Sequence, residues 1–367
     1  MTGPRVIHIS SAHPYTDNRI HYREAASLAA AGFDVALVAV ESAVVGPPTA
    51  VAVHTIPKRR RLARMLFSTV QVVAMAVRSR ASIVHLHDPE LIPFIPLLKM
   101  LGRTVIYDAH EDLPAQIQGK PYLNAVARAV LTRFARLLVW VSSFSDLTVC
   151  ATHTIAAHHS GRTCVVRNYP PLRSEESSPT PIGDRPKHLV YIGALGRNRG
   201  IKTLVDAMAD PDMPDGWRLV LAGIGTSDFL DQLRKLPGWE RVDYFGQLPP
   251  DRARDLLLAA RIGMCVLPDT PAYREALPTK MFEYFAAGVP VIASDFPLWR
   301  EILDRAGAGM HVAPDSPGGL ASAVRRYNED VALLEAHSLN ARRAAVEELN
   351  WAQEAETLVA AYRSVPR

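Results

Sequence analysis

The stretch EALPTKMFEYFAAGVPVIAS, residues 275–294, decides the fold class. Pro278 and Thr279 are entry residues for a helix, because a proline in the first turn forfeits only an N–H that would have no partner there. Ala286-Ala287-Gly288 ends that helix, and Val289 to Ser294 reads as a strand apolar enough to be buried on both faces. A loop, a helix and a doubly buried strand in direct succession form one step of a parallel sheet covered by helices.

The same alternation extends in both directions. Downstream of residue 187, strands are expected at 188–192, 217–222, 242–245, 262–267, 289–294 and 309–313. Helices are expected at 201–209, 227–235, 251–260, 279–287, 297–303 and 318–328, with two more at 331–348 and 351–364. Upstream, strands are expected at 5–10, 34–40, 51–56, 83–87, 104–108, 146–151 and 163–167, and helices at 20–31, 62–80, 91–101, 122–141 and 153–158. Between the two series lies PLRSEESSPTPIGDRPK, residues 171–187, whose Pro, Ser and charge content reads as a linker. The pattern predicts an α/β protein of two Rossmann-like, doubly wound domains, 1–170 and 188–350. The ligand is then expected at the carboxyl ends of the strands, in a cleft where the domains face each other.

At 367 residues the chain is long enough for two cores. It has no apolar run of the roughly 18–20 residues that a spanning helix needs. The amino terminus runs straight into a strand pattern with no leader signature, and Cys150, Cys164 and Cys265 show no metal or redox spacing. A reduced cytoplasm is the expected compartment. The net charge of +4 hides an asymmetry: residues 1–170 carry 18 Lys/Arg against 10 Asp/Glu, and residues 171–367 carry 23 against 27. A basic first half suits an anionic partner, either an acidic acceptor or a membrane surface, although a solvated face explains it equally well.

Several segments carry chemistry. Glu275 lies in the loop before the helix and Glu283 on its first turns, eight residues apart. Between them the free N–H groups of the helix start, aided by the helix dipole, suit a diphosphate. An ordinary capped helix with two surface glutamates would show the same spacing. A second strand–turn–helix, LVYIGALGRNRGIKTLVDAM at 189–208, aims backbone N–H groups and basic side chains at phosphate, with Arg197, Arg199 and Lys202 as candidates and Lys280 as another. Two further strands end in Gly223-x-Gly225 and in Gly246. In the first half, HLHDPEL (85–91) and YDAHEDLP (107–114) each follow a strand and are expected to face the cleft. His85, His87, Asp88, His110, Glu111 and Asp112 have the residue types of a metal centre, but no helical His-x3-His spacing supports one. Asp210-Pro211-Asp212 follows a helix in a proline-containing loop and reads as a surface turn. PKRRRLARMLF (57–67) and AVARAVLTRFARLLVWV (125–141) are basic and amphipathic, as membrane-surface helices are and as core helices with solvated arginines also are.

Taken together, segment 275–294 resembles the E-x7-E signature of retaining family 4 glycosyltransferases of the GT-B fold, including its trailing AAG-PVIAS. The resemblance implies that Glu275 approaches the donor sugar and Glu283 the ribose of the nucleotide, with Ala276, Leu277, Thr279 and Lys280 around the donor. Segment 189–208 resembles the family's strand–GRL…KG–helix. Arg199 stands where the family has lysine, and Ala194 replaces its arginine, leaving Arg197, Lys202 or Lys280 to restore the charge. Gly223 and Gly225, and Gln247 and Leu248 after Gly246, resemble the loops flanking donor and nucleobase. HLHDPEL and YDAHED resemble a bacterial subgroup in which His110 lies near the transferred sugar. His13, Asp17 and Arg19, with His87, Asp88 and Glu111, are then acceptor-side residues, in a first loop that lacks the Gly-Gly of many family members. Asn168-Tyr169-Pro170 resembles the N-x-P that closes the first domain, onto which the helix near 351–367 is expected to pack back.

The resemblance implies a retaining glycosyltransferase that moves a sugar from a UDP- or GDP-sugar to a glycan, lipid-linked or other envelope or secondary-metabolite acceptor. Glu275, His110 and Arg199 would be its catalytic residues. No obligatory metal, resident cofactor or nucleic-acid partner is expected; a peripheral contact with the inner membrane face is. The alternatives are a metal-dependent hydrolase built on His85, His87, Asp88 and His110, a sugar-nucleotide epimerase, and a non-catalytic sugar-nucleotide-binding protein.

Overall fold

The computed structural model describes residues 3–118, 123–172 and 180–366. The chain divides into two compact units, Met1–Asn168 with Trp351–Arg367, and Tyr169–Asn350.

The first unit holds a seven-stranded, wholly parallel sheet: β1 (Arg5–Pro14), β2 (Asp34–Val40), β3 (Ala52–Ile56), β4 (Ile83–Leu86), β5 (Thr104–Ala109), β6 (Leu147–Cys150) and β7 (Thr163–Val165), in spatial order β3-β2-β1-β4-β5-β6-β7. The second holds six parallel strands: β8 (His188–Ile192), β9 (Arg218–Ala222), β10 (Val242–Tyr244), β11 (Ile262–Cys265), β12 (Val291–Ser294) and β13 (Gly309–Val312), ordered β10-β9-β8-β11-β12-β13. In each sheet the winding direction reverses once, between β1 and β4 and between β8 and β11. Doubly wound sheets bind their ligands at that reversal, outside the strands' carboxyl ends.

Strands buried on both faces explain the apolar runs. In the first unit Ile7, Ile9, Val84, Leu86 and Tyr107 pack under one helical layer, while Val6, Val35, Leu37, Ile83 and Ile106 pack under the other. The second layer is completed by the last helix, Trp351–Arg363, whose Trp351, Leu358 and Tyr362 join that core. The helix is held by Trp351 Nε1 donating to Ser27 Oγ at 2.8 Å and by a 2.7 Å hydrogen bond between Tyr362 and His85.

Several expectations change in detail. The helix expected over 20–31 is a π-helix, Asn18–Ala25, that continues as the α-helix Ala26–Ala30. The helix expected over 122–141 runs from Ala125 to Ser142, with Asn124 capping Ala127 N, and residue 122 lies outside the described residues. The linker expected over 171–187 falls partly on 173–179, also outside them. Beyond it the chain already belongs to the second unit: Ile182 is in the core, and buried Arg185 donates to Ala260 O.

Candidate active site

In the second unit the carboxyl ends of β8, β9 and β10 are laced together by backbone bonds, from Gly193 N to Ala222 O (2.9 Å), from Leu195 N to Ile224 O (2.8 Å) and from Gly223 N to Gly246 O (2.7 Å). Such close approach excludes a side chain at Gly223, where a Cβ would stand 1.8 Å from Gly193 O and φ is +145°. Gly200, at φ +68°, caps the helix Ile201–Met208 and presses it against β11, where a Cβ would meet Val266 O at 2.2 Å. Glycines that seemed generic turn residues in the sequence are thus what lets the loops converge.

At the reversal between β8 and β11 lies a cavity of about 270 Å³ lined by Tyr191, Arg199, Cys265, Val266, Leu267, Tyr273, Ala276, Leu277, Pro278, Thr279, Lys280 and Trp299. Its walls are fixed from behind. Ser294 Oγ accepts from Leu267 N and donates to Leu267 O, both at 2.8 Å. Trp299 Nε1 donates to Ala276 O at 2.6 Å, which pins the loop that carries Glu275 into the helix Thr279–Ala286. The Arg199 guanidinium lies 5.8 Å from the centroid of the Tyr273 ring, and Lys280 Nζ lies 3.5 Å from that of Tyr191. Burial, with help from the Arg199 charge, pulls the Lys280 ammonium down to about 8 although Cys265 and Glu283 act in the opposite sense. Burial pushes the Cys265 thiol up to about 12, so it lines the cavity as a neutral group. Two cations and the first N–H groups of a helix around one small cavity make an anion receptor.

Of the donor-side residues picked from the sequence, Arg199, Ala276, Leu277, Thr279 and Lys280 meet at this cavity. Glu275 and Glu283 are exposed on the same loop and helix. Arg197 and Lys202 do not line it. Arg197 pairs with Asp228 at 2.7 Å and with Gln232, and Lys202 with Asp206 one helical turn away at 2.6 Å. Of the cations proposed to offset Ala194, the structure therefore brings Lys280 to Arg199. Gly225 holds a bridge to Leu195, while Gln247 and Leu248 follow β10 outside the cavity lining. Tyr191, Cys265, Tyr273 and Trp299 were missed; only the rule that ligands sit at strand ends beside the reversal pointed to the first two. Asp210 and Asp212 form the expected turn, with Asp212 N donating to Asp210 Oδ1 and Asp212 bound to Arg325.

In the first unit the sequence-picked residues separate into a rim and a core. At the rim, half-buried His13 and His110 stand with ring centroids 5.4 Å apart. Buried Asp88 holds His13 Nδ1 at 2.9 Å while accepting from Ser10 Oγ, Ser11 N and Ala12 N. The hydrogen bond to Asp88 raises the His13 imidazole above its ordinary range. Burial works against protonation of His110, but its 3.2 Å bond to Asp108 outweighs that and raises it as well. Glu111 is exposed beside them.

Beneath the rim the expectation that these clusters face a cleft is corrected. His85 and His87, two residues apart and thus on one side of the sheet, are fully buried with His8 of β1, Glu24 of the π-helix and Asp108 of β5. Arg19, also buried, clamps Asp108 at 2.8 Å, lies 3.0 Å from Glu24 and donates to Val166 O. Asp17 accepts from Arg19 N and Ile20 N as the cap of the π-helix. His87 and Arg19 therefore belong to the core, because the π-helix and the last helix cover that face. Burial pushes His8 and His85 well below the imidazole range and Glu24 well above the carboxyl range. Asp108, despite its burial, is held well below its usual range by Arg19 and by bonds from His110 and His87.

Comparison with known proteins bears on the fold and on the second unit. Residues 173–344 match the family model described as glycosyl transferases group 1. A glycogen synthase of Mycobacterium tuberculosis is 28% identical over 185 residues, 50% of this chain and 44% of that protein, so the match spans less than half of that relative's length. Among solved structures, sucrose-phosphate synthase of Thermosynechococcus elongatus superposes with a TM-score of 0.72 at 19% identity over 98% of both chains. HepE of Anabaena, solved in complex with UDP-glucose, gives 0.74 at 16% identity over 98% of this chain and 100% of its own. The fold is that of GT-B glycosyltransferases, two parallel-sheet Rossmann-like domains.

Proposed function

From the group 1 glycosyltransferase match over residues 173–344, we propose that this chain transfers a sugar from a nucleotide-diphosphate donor bound in the second unit, in the cavity between the ends of β8 and β11. The observation that carries the reading is the convergence of Arg199, Lys280 and the Thr279 helix start on one cavity, in the segment that also bears Glu275 and Glu283. Cleavage of a glycosyl phosphate bond leaves growing charge on the diphosphate. A guanidinium fork, a desolvated ammonium and helix N–H groups held in place meet that charge without reorganising, and loss of one such donor typically costs about 10²–10³ in rate. Glu283 takes the ribose hydroxyls and Glu275 holds the sugar. Transfer proceeds with retention, as in family 4, with the leaving phosphate accepting the acceptor's proton and no obligatory metal at the donor.

The acceptor belongs to the first unit and is anionic or lipid-linked. The basic first half supports this, as does the helix Ala125–Ser142. It exposes Val126, Val130, Phe134, Leu137 and Trp140 among Arg128, Arg133 and Arg136, a composition suited to peripheral contact with an anionic membrane from the cytoplasmic side. Among the described residues no helix is long and apolar enough to cross a membrane.

Titration calorimetry of the whole chain with UDP, GDP, ADP and their sugars, with and without EDTA, tests the donor site. One nucleotide should bind regardless of chelator, and Glu283→Ala and Arg199→Ala should each weaken it about tenfold or more. Binding of none of them overturns the reading.

A further inference from the structure

His8, Glu24, His85 and His87 form a knot inside the first unit that nothing in sugar transfer uses. Each is fully buried, and each offers one ligand atom such that all four atoms lie within 4.8 Å of one another. They come from three elements. His8 and His85 are register partners on β1 and β4, His87 follows β4 on the same side of the sheet, and Glu24 descends from the π-helix. π-helical turns widen a helix locally and recur at functional sites.

Hydrogen bonding leaves the knot incomplete. Among the described residues, His8 Nε2, His85 Nε2 and both Glu24 carboxyl oxygens are buried without a hydrogen-bond partner. Arg19 Nε lies 3.0 Å from Glu24 Oε1, but out of line for a hydrogen bond. Buried polar atoms are nearly always satisfied, because an orphan gives up its hydration for nothing in return. Four on three adjoining residues call for a shared partner. Outer contacts of the kind that orient ligating imidazoles are already present: the Tyr362 hydroxyl oxygen lies 2.7 Å from His85 Nδ1 and Asp108 Oδ2 lies 3.3 Å from His87 Nδ1, and each accepts the Nδ1–H of an imidazole that ligates through Nε2.

We propose that His8, Glu24, His85 and His87 bind one divalent transition-metal ion of the zinc class as a structural centre of the first unit. Three imidazoles and a carboxylate form a donor set that zinc favours, in four-coordinate geometry. A tetrahedral site with bonds of about 2.0–2.2 Å has ligands roughly 3.4 Å apart. The separations here, within 4.8 Å, therefore close by up to about 1.4 Å, and the 2.8 Å hydrogen bond between His8 Nδ1 and His87 Nε2 gives way to the ion. With all four donors sealed from solvent, no coordination position is open to a substrate, and the centre is distinct from the donor cavity of the second unit.

The test uses the whole chain purified without chelator. Elemental analysis should find about one equivalent of metal. Replacement by Co(II) should give the intense visible absorption of a four-coordinate nitrogen–oxygen site. Glu24→Gln, which keeps the shape of the side chain and removes its charge, should cut metal content at least tenfold and abolish stabilisation by added metal; His85→Gln should do the same. Nucleotide binding by each variant reports that the second unit is folded. Wild-type protein that carries no stoichiometric metal and takes none up from buffered Zn(II) or Co(II) overturns the proposal. So does metal content unchanged in Glu24→Gln and His85→Gln. Neither result bears on the donor site, whose test is made both with and without EDTA.

Discussion

Lys280 shows how a single buried side chain makes stability depend on pH. Its ammonium titrates near 8 in the fold and near 10.4 in an unfolded chain. The folded state therefore pays for the buried charge at and below pH 8, and that cost is relieved as pH rises from about 8 to 10.4, where the unfolded chain holds more protons. Lys280→Met should accordingly raise the melting temperature at pH 7 and lose that advantage by pH 10. The same substitution should weaken nucleotide-diphosphate binding about tenfold at pH 7. Wild-type affinity should fall as pH passes 8, with proton uptake on binding seen when buffers of different ionisation enthalpy are compared in the calorimeter. Arg19 argues the opposite case. Its fork neutralises Asp108 in a place closed to water, so Arg19→Met should destabilise the first unit by about 3–5 kcal/mol, measured by urea unfolding. The sequence offers Arg19 as an acceptor-side residue by resemblance and does not mark it as a core residue, since its partner lies 89 residues away.

Among elements, two behave in ways their local pattern does not dictate. The loops after β8, β9 and β10 fit only because Gly193, Gly223 and Gly246 take positive φ, with Gly193 N bonded to Ala222 O and Gly223 N to Gly246 O. Gly223→Ala combines a strained φ with a backbone clash, and should lower the second unit's stability by about 1–3 kcal/mol and disturb nucleotide binding. The helix Ala125–Ser142 presents an amphipathic pattern whose apolar side faces outward in part, with Phe134 and Trp140 more than half exposed. Flotation with vesicles of anionic lipid should recover the chain, and Phe134→Ser with Trp140→Ser should abolish recovery while leaving nucleotide affinity unchanged. Periodicity alone shows that a helix has an apolar stripe; whether that stripe is covered depends on what the rest of the chain brings to it.

For the molecule as a whole, the last helix is the telling part. Residues 351–363 follow the second unit in sequence but complete the core of the first with Trp351, Leu358 and Tyr362. Burial of three such side chains stabilises by about 5–9 kcal/mol, comparable with the entire stability of a domain. A chain ending at Asn350 should therefore lose the first unit's cooperative melting transition in calorimetry while the second unit still binds nucleotide.

Periodicity and punctuation in the sequence determined the two parallel sheets, because strands buried on both faces must be almost wholly apolar and the segments between them need one apolar stripe. They also determined the loop that enters the helix Thr279–Ala286, because helix entry is a property of contiguous residues. Tertiary structure alone decided which cation joins Arg199: Arg197 and Lys202 are drawn to Asp228 and Asp206, and Lys280 is directed to the cavity by the ring of Tyr191. It alone sorted the histidines into a rim of His13 and His110 and a sealed core of His8, His85 and His87. The physical reason is the same in both cases. Burial and charge pairing depend on partners from distant strands and helices, and no local pattern records which residues those partners will be.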